Sequence, residues 1–196
     1  MTDTSPEGAL GRVARDLGHR GQRFALVGGL AASIRGEVRF TRDVDLAISV
    51  STDVETEQLV NGLAPAGYSV LATVEQTTMK RLATVRLRSP NSVVVDLIAA
   101  SSGIEREVVE RAEAVTIEGA GTIPVARAEE LLAMKILSMT AARPHDRVDA
   151  SNLLAVNPAL DIAALRELLA LITTRGFNRG QDLDAKLETL LSDQTR

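Results

Sequence analysis

Residues 27–46, VGGLAASIRGEVRFTRDVDL, decide the fold. In this stretch thirteen residues separate a glycine pair from the first of two aspartates, and one residue lies between the aspartates. Residues 24–27 are apolar and predict a short buried strand. Gly28 and Gly29 then predict a tight turn, and residues 30–35 predict a helix. The first amide groups of a helix lack partners within it, and they attract phosphate. This stretch therefore predicts a phosphate-binding turn at the start of a helix.

The two aspartates belong to a second predicted strand, over residues 44–50. Side chains alternate along a strand, so Asp43 and Asp45 point away from the face that carries the apolar residues. Two carboxylates on one face repel each other and remain ionised most readily beside a cation. Oxygen ligands of this kind suit Mg²⁺, which fills its other positions with water and substrate phosphates. The pair indicates nucleotide chemistry; a plain turn followed by a solvated strand edge is the alternative.

A third carboxylate lies in a predicted apolar strand, residues 92–99, where Asp96 shares a face with Val94 and Ile98. Burial of such a group is unfavourable unless a cation or a hydrogen bond satisfies it. We therefore expect Asp96 either to join the metal site or to be held by a structural partner.

Two further strands are predicted over residues 68–74 and 79–88. A turn at residues 89–91 joins the strand at 79–88 to the strand at 92–99 in a hairpin. One side of the strand at 79–88 is largely polar and cationic, with Lys80, Leu82, Thr84, Arg86 and Arg88. We expect this side to contact acceptor phosphates or to form an exposed sheet face.

The C-terminal part predicts helices, the first over residues 127–142. Lys135 shares the apolar face of this helix with Leu131 and Leu132. Its ammonium group either snorkels to solvent or is directed at phosphates. Pro144 ends this helix, and the next is expected to start near His145 or Asp146. Asp146 then suits an N-cap and Asp149 suits the first turn.

Composition limits the class of protein. A chain of 196 residues holds one large domain or a domain with an appendage, and we place a core at residues 1–126 and a helical region at 127–196. Aromatic residues make up 2%, so the core must be aliphatic, and the absence of cysteine excludes thiol chemistry. No stretch has the character of a signal peptide or a membrane helix. We expect a cytoplasmic enzyme without a membrane partner.

The net charge of -4 hides a basic segment, since residues 12–42 contain seven arginines and only two acidic residues. This segment either binds a polyanion or decorates helix surfaces.

The glycine pair followed by D-x-D resembles the nucleotidyltransferase superfamily. Residues 130–154, ELLAMKILSMTAARPHDRVDASNLL, narrow the resemblance to the AbiEii/MenT group of nucleotidyltransferase toxins. The positions that match the first block are Gly28, Gly29, Arg39, Thr41, Asp43, Val44, Asp45 and Leu46. The resemblance implies a mixed α/β core followed by helices.

The resemblance also implies an activity and the residues responsible for it. Nucleoside monophosphate is expected to pass from an NTP to an acceptor hydroxyl, with release of pyrophosphate and with Mg²⁺ or Mn²⁺ as cofactor. The metal ligands are then Asp43, Asp45 and Asp96; the nucleotide-binding residues are Gly28, Gly29 and Lys135; and Asp146, with Asp149 as second choice, completes the catalytic set together with Lys135. Thr41 is a candidate for regulatory phosphorylation, which would add negative charge beside the carboxylates.

The expected acceptor is the 3′ end of tRNA, which would make the protein a toxin that blocks translation and has a cognate antitoxin. Two alternatives stay open. One is nucleotidylation of a small molecule or a protein, and the other is a nucleotide- or partner-binding module without catalysis.

Overall fold

A mixed sheet of seven strands forms the centre of the fold. The computed structural model describes residues 4–36 and 41–194. The strands are β1 (Phe24–Val27), β2 (Val44–Ile48), β3 (Ser69–Gln76), β4 (Arg81–Arg88), β5 (Val94–Ile98), β6 (Glu113–Ile117) and β7 (Gly121–Val125). They lie side by side in the order β3-β4-β5-β2-β1-β7-β6. This architecture confirms the predicted α/β class.

Eight α-helices and one short 3₁₀ turn accompany the sheet in the described residues. The helices are α1 (Pro6–Gly18), α2 (Gly28–Arg35), α3 (Asp53–Leu63), α4 (Glu105–Arg111), α5 (Ala128–Ser138), α6 (Pro144–Val156), α7 (Ile162–Thr174) and α8 (Leu183–Gln194). The 3₁₀ turn, Ala64–Ala66, follows α3. Within these residues, none of the helices combines the length and apolar character needed to cross a membrane.

Strand pairing at the centre of the sheet positions the predicted acidic residues. Strand β2 pairs antiparallel with β1 and parallel with β5, and Asp45 lies opposite Asp96 in the second of these pairs. Strand β4 pairs antiparallel with β5, where Arg86 lies opposite Asp96. Residues directly opposite each other in adjacent strands project to the same face of a sheet. The register therefore puts Asp45, Asp96 and Arg86 in a row on one face.

The core is aliphatic, as the composition predicted. Its largest fully buried side chains include Leu26 of β1, Leu46 of β2 and Leu97 of β5. The same apolar cluster continues into the C-terminal helices through Leu132 of α5 and Leu187 of α8. Because the core is continuous between the sheet and these helices, the proposed division at residue 126 stays a prediction.

The start of one helix and the N-cap of another differ from the prediction, and both differences have a local cause. Helix α2 begins at Gly28 itself, so the glycine pair forms the first helical turn and not a separate turn. Helix α6 begins at Pro144, with Arg143 as its N-cap, so Asp146 lies inside the first turn and is not the cap. Proline favours the first helical position because its φ is already helical and it lacks the N–H that would be unpaired there.

Candidate active site

A cleft of about 1100 Å³ opens between the polar face of the central strands and the helices α5 and α6. Its lining includes most of the residues that the sequence predicted for the site, namely Gly28, Gly29, Thr41, Asp43, Asp45, Asp96, Lys135 and Asp146. The remaining candidate, Asp149, does not line the cleft but contacts Lys135, which does. The family position Arg39 lies outside the described residues.

The glycine pair at the start of α2 is shaped around Asp45. Gly28 has φ +65°, and a Cβ atom added to it would lie 1.9 Å from Oδ2 of Asp45. The amide of Gly29 donates a hydrogen bond to the same carboxylate. Val27, the N-cap of α2, makes no side-chain hydrogen bond to the helix. The glycines therefore hold a carboxylate in place, in addition to presenting the positive end of a helix to the cleft.

In the absence of a bound metal ion, the surroundings of Asp45 disfavour its ionised form. Burial raises the pKa of Asp45 to about 6, and the negative charges of Asp96 and Asp43 raise it as well, while the Gly29 amide and the Lys135 ammonium lower it. A carboxylate with these surroundings favours a positive charge beside it. The protein thus holds an acidic group at the cleft whose ionised form is stabilised by a bound cation.

Asp96 is buried, with 7% of its surface exposed, and its partner is Arg86. The guanidinium donates to both carboxylate oxygens, from Nε at 2.9 Å and from Nη2 at 2.6 Å. The same Nη2 atom lies 3.8 Å from Oδ2 of Asp43. These contacts with Asp96, together with its charge and those of Asp43 and Asp45, raise the pKa of Arg86 above its ordinary value. A positive group therefore lies between two of the three predicted metal ligands.

The donor set at this place suits a hard divalent cation, because all three side chains offer carboxylate oxygens and a guanidinium already lies among them as a cation. With Arg86 in this position, residues 4–36 and 41–194 contain no group of three acidic or histidine side chains gathered tightly enough to enclose a metal ion. Two of the acceptor positions of Asp96 are occupied by the guanidinium.

Lys135 of α5 is held between two buried aspartates of α6. Its Nζ atom lies 2.8 Å from Oδ1 of Asp146 and 2.7 Å from Oδ2 of Asp149. Only 11% of the lysine side chain is exposed, so the ammonium group is fixed at the cleft and does not extend into solvent. The sequence left a choice between the two aspartates; in the structure both contact Lys135.

The predicted basic surfaces contribute less to the cleft than expected. Thr84 and Arg86 of β4 line it, whereas Arg88 of β4 and Lys80, which precedes the strand, do not. Within residues 12–36 and at Arg42, no arginine belongs to the lining, and several have partners elsewhere. Arg12 pairs with Asp16, for example, and Arg35 pairs with Glu113.

Basic side chains from the C-terminal region also line the cleft, and none of them was assigned to the site from the sequence. Arg143, His145 and Arg179 all belong to the lining. Arg179 lies in the part of the chain that was predicted only as a helical region, residues 127–196. The only signal in the sequence is the run RGFNRG at residues 175–180, whose two glycines indicate a tight loop between the last helices.

A family model for the nucleotidyltransferase AbiEii toxin of type IV toxin–antitoxin systems matches residues 13–194. The chain belongs to the AbiEii toxin family. It is therefore a nucleotidyltransferase of a toxin–antitoxin system, and membership confirms the resemblance drawn from the glycine pair, the D-x-D motif and residues 130–154. An AbiEii toxin takes an NTP as its substrate and has an antitoxin as its partner. No curated protein sequence is significantly similar to the chain.

Solved structures share the fold of this AbiEii chain at low sequence identity. An antigenic nucleotidyltransferase-like protein from Paracoccidioides brasiliensis is 21% identical and has a TM-score of 0.53, covering 96% of this chain and 94% of that one. The antibiotic-resistance factor ANT(2'')-Ia is 14% identical with a TM-score of 0.55, over 85% and 90% of the two chains. The lincosamide antibiotic adenylyltransferase LnuA is 16% identical with a TM-score of 0.52, over 79% and 99%. These likenesses confirm the nucleotidyltransferase-like fold.

Proposed function

We propose that this AbiEii protein transfers a nucleoside monophosphate from an NTP to the 3′ hydroxyl of tRNA, and so blocks translation. The observation that carries the proposal is the register of β2 and β5, which sets Asp45 opposite Asp96 on the cleft face, beside the first turn of α2. Carboxylates next to an anion-binding helix start are the arrangement that phosphoryl transfer requires.

Two of the acidic residues would act on the NTP, which is the donor, and the third would act on the acceptor hydroxyl. Asp43 and Asp45 would hold Mg²⁺, or Mn²⁺, on the triphosphate, and Asp96 would share a second ion. A bound Mg²⁺ supplies charge stabilisation on the entering and leaving oxygens. The acceptor oxygen bonds to the α-phosphorus, the bond from that phosphorus to pyrophosphate breaks, and Asp96 takes the proton of the acceptor hydroxyl once Arg86 has left it.

The remaining residues orient the donor. The free amides at the start of α2 and the ammonium group of Lys135 bind the β and γ phosphates, which places the leaving group at the positive end of the helix. Asp146 and Asp149 hold the Lys135 ammonium group at 2.8 and 2.7 Å, so its position is set before the nucleotide binds. This fixed geometry lowers the entropy that must be lost when the nucleotide binds.

The acceptor is proposed on charge and size. The cleft of about 1100 Å³ has room for more than a nucleotide, and Arg86, Arg143 and Arg179 all line it. Binding that depends on phosphate contacts weakens steeply as salt is added. Association with tRNA should therefore fall as NaCl is raised from 50 to about 200 mM.

Thr41 is proposed as a point of control by the antitoxin. It lies two residues before Asp43 and lines the cleft. A phosphate group there adds up to about two negative charges beside the carboxylates, which repels the triphosphate and competes for the metal.

The proposal is tested by incubating purified protein with each labelled NTP, Mg²⁺ and total RNA. A labelled tRNA band is expected for one or more nucleotides, and Asp43→Asn should abolish it while the circular dichroism spectrum stays unchanged. Label on a protein or small molecule instead of tRNA would replace the proposed acceptor. Full transfer by the Asp43 variant would refute the assignment of the metal ligands.

A further inference from the structure

The loop between α7 and α8, residues 175–180, is docked on the segment that follows β5. Arg175 donates to both oxygens of Glu107, at 3.0 and 2.7 Å, and to the carbonyl oxygen of Gly103 at 2.5 Å. Phe177 is buried and packs directly on Gly103, where an added Cβ would lie 2.5 Å from its ring. The position of the loop relative to β5 is thus fixed by an ion pair and by an aromatic side chain.

Arg179 uses this anchorage to reach the cleft. Its backbone has φ +56°, a left-handed conformation that side chains other than glycine rarely adopt. Its Nη2 atom donates to the carbonyl and to the hydroxyl oxygen of Ser101, both at 3.1 Å. Ser101 also lines the cleft and stands five residues after Asp96. The guanidinium is therefore held at the cleft wall on the same polypeptide segment that carries a catalytic carboxylate. Unfavourable backbone geometry that is held by its surroundings is characteristic of functional positions.

Arg179 differs from the other cations of the cleft in its charge balance. Arg86 is paired with Asp96, Lys135 with Asp146 and Asp149, and Arg143 with Asp146. Over residues 4–36 and 41–194, no carboxylate lies within ion-pair distance of Arg179, whose hydrogen bonds go only to the neutral oxygens of Ser101. The guanidinium thus has no carboxylate in direct contact, and the negative charge of Glu105, which accepts a hydrogen bond from the amide of Ser101, acts on it from farther away.

A second guanidinium adds to this charge. Arg143 lies 2.8 Å from Asp146, but its side chain is 63% exposed and it lines the same cleft as Arg179. Burial lowers the pKa of Arg179, the positive charge of Arg143 lowers it further, and the negative charge of Glu105 offsets part of this. Two guanidinium groups that repel each other across one cleft are stabilised together by an anion between them.

We propose that Arg179, with Arg143 as its neighbour, forms a phosphate-binding subsite of the cleft. The inference rests on the proposed function and deepens it, because it assigns a phosphate ligand to the region that follows α7. Planar guanidinium groups bind phosphate oxygens through two parallel hydrogen bonds, and Arg179 is already oriented by Ser101. The phosphate belongs either to the triphosphate of the NTP or to the backbone of the acceptor.

The test compares Arg179→Gln with wild type in three binding titrations without catalysis. The probes are inorganic tripolyphosphate, an ATP analogue with a methylene bridge between the α and β phosphorus atoms, and tRNA in the absence of any NTP. Glutamine retains a donor for Ser101 and removes the charge. Arg106→Gln, at an exposed α4 residue paired with Glu110, is the matched control for loss of one positive charge.

We expect Arg179→Gln to weaken at least one class of probe by about 10-fold or more, while Arg106→Gln changes none. Weaker binding of tripolyphosphate and the ATP analogue, with tRNA unchanged, identifies the donor triphosphate. Weaker binding of tRNA alone identifies an acceptor phosphate. Arg179→Lys, which keeps the charge without the paired donors, should show an intermediate loss.

Unchanged affinity of Arg179→Gln for all three probes would overturn the inference, as would a wild-type protein that binds none of them. Failure of the proposed function gives a different result: phosphate probes bind in an Arg179-dependent manner, but no labelled tRNA forms in the transfer assay. Thermal unfolding of each variant checks that the loop still docks, since loss of docking would also release Phe177 from the core.

Discussion

Arg86 and Asp96 face each other across β4 and β5, and the arginine donates hydrogen bonds of 2.9 and 2.6 Å to the two oxygens of the aspartate. The aspartate is buried, whereas 46% of the arginine side chain is exposed. The arginine side chain therefore has space to move away into solvent, whereas the buried carboxylate has no space to move with it. If the proposed divalent cation binds Asp96, we therefore expect Arg86 to be the group that moves.

Replacing Arg86 should show separately how much it stabilises the buried Asp96 and how strongly it competes with a metal ion for that carboxylate. Arg86→Gln leaves the buried Asp96 without its charged partner, so in EDTA the free energy of unfolding should fall by about 1–3 kcal/mol. Mn²⁺ should bind this variant more tightly than wild type, because no guanidinium competes for Asp96. Thermal unfolding and calorimetric titration with Mn²⁺ measure the two effects. Arg88→Gln, on the same strand and outside the cleft, is the control; equal Mn²⁺ affinity in all three proteins would contradict the prediction.

Asp45 should make the stability of the metal-free protein depend on pH. Its folded-state pKa of about 6 lies above the ordinary value of 3.8, so folding takes up a proton in this window and stability falls as pH rises from about 4 to about 6. Asp45→Asn removes the effect. At pH 7.5 in EDTA the variant should be more stable than wild type by up to about 3 kcal/mol, and by less at pH 4. Chemical denaturation at both pH values measures the difference, and a pH-independent difference would count against this assignment.

Gly28 should tolerate no side chain. Gly28→Ala forces a Cβ atom toward Oδ2 of Asp45 at a residue with φ +65°, so we expect a loss of at least about 1–2 kcal/mol in unfolding free energy and loss of nucleotide transfer. Gly18→Ala is the matched control, because no atom lies within 4 Å of the added carbon there. That variant should be neutral or slightly more stable. Comparable transfer by the two variants would show that Gly28 does not position Asp45.

Lys135 should be structural as well as catalytic. Lys135→Met leaves two buried carboxylates without their shared cation and should lower the free energy of unfolding by about 3–5 kcal/mol. Adding Asp149→Asn should restore part of this stability, since one buried charge is then removed. Transfer should stay absent in the double variant, because no ammonium group is available for phosphate. Denaturation curves and the transfer assay test both statements; activity that recovers along with stability would indicate a purely structural lysine.

A negative charge at Thr41 should inhibit transfer. Thr41→Glu places a carboxylate on the cleft near Asp43, and repulsion of the triphosphate should lower transfer by at least about tenfold. Thr174→Glu, at the exposed end of α7, should be silent. Mass spectrometry after co-expression with the product of the neighbouring gene examines the natural modification. An inhibited toxin with an unmodified Thr41 would exclude this residue as the control point.

Local patterns sufficed for the centre of the sheet. Alternation along β2 and β5 places Asp45 and Asp96 off the core side, and a parallel pairing in which both strands keep their apolar residues toward the core brings them to one face. The lysine on the apolar face of α5 was informative for the same reason, since a cation at such a position requires a partner. These predictions depend only on side-chain direction, which a strand or helix fixes within a few residues.

Contacts between segments that are distant in the chain could not be predicted from the sequence pattern. The pairing of Arg86 with Asp96 depends on the register of a hairpin, and a shift by one residue would have turned Arg86 away. Arg179 contacts Ser101 across 78 residues because Phe177 seats its loop on Gly103, and no periodicity of the chain encodes that docking. The start of α2 and the N-cap of α6 were misplaced because one or two glycine or proline residues decide them.

The docked loop links two parts of the fold. Arg179 precedes α8 and contacts Ser101 after β5, and Lys186 of α8 donates to the carbonyl oxygens of Ile136 and Met139 at the end of α5. The segment that follows α7 therefore touches both the sheet side and the helical side of the cleft. A substitution that loosens α8 should for this reason also move the cleft wall at Arg179.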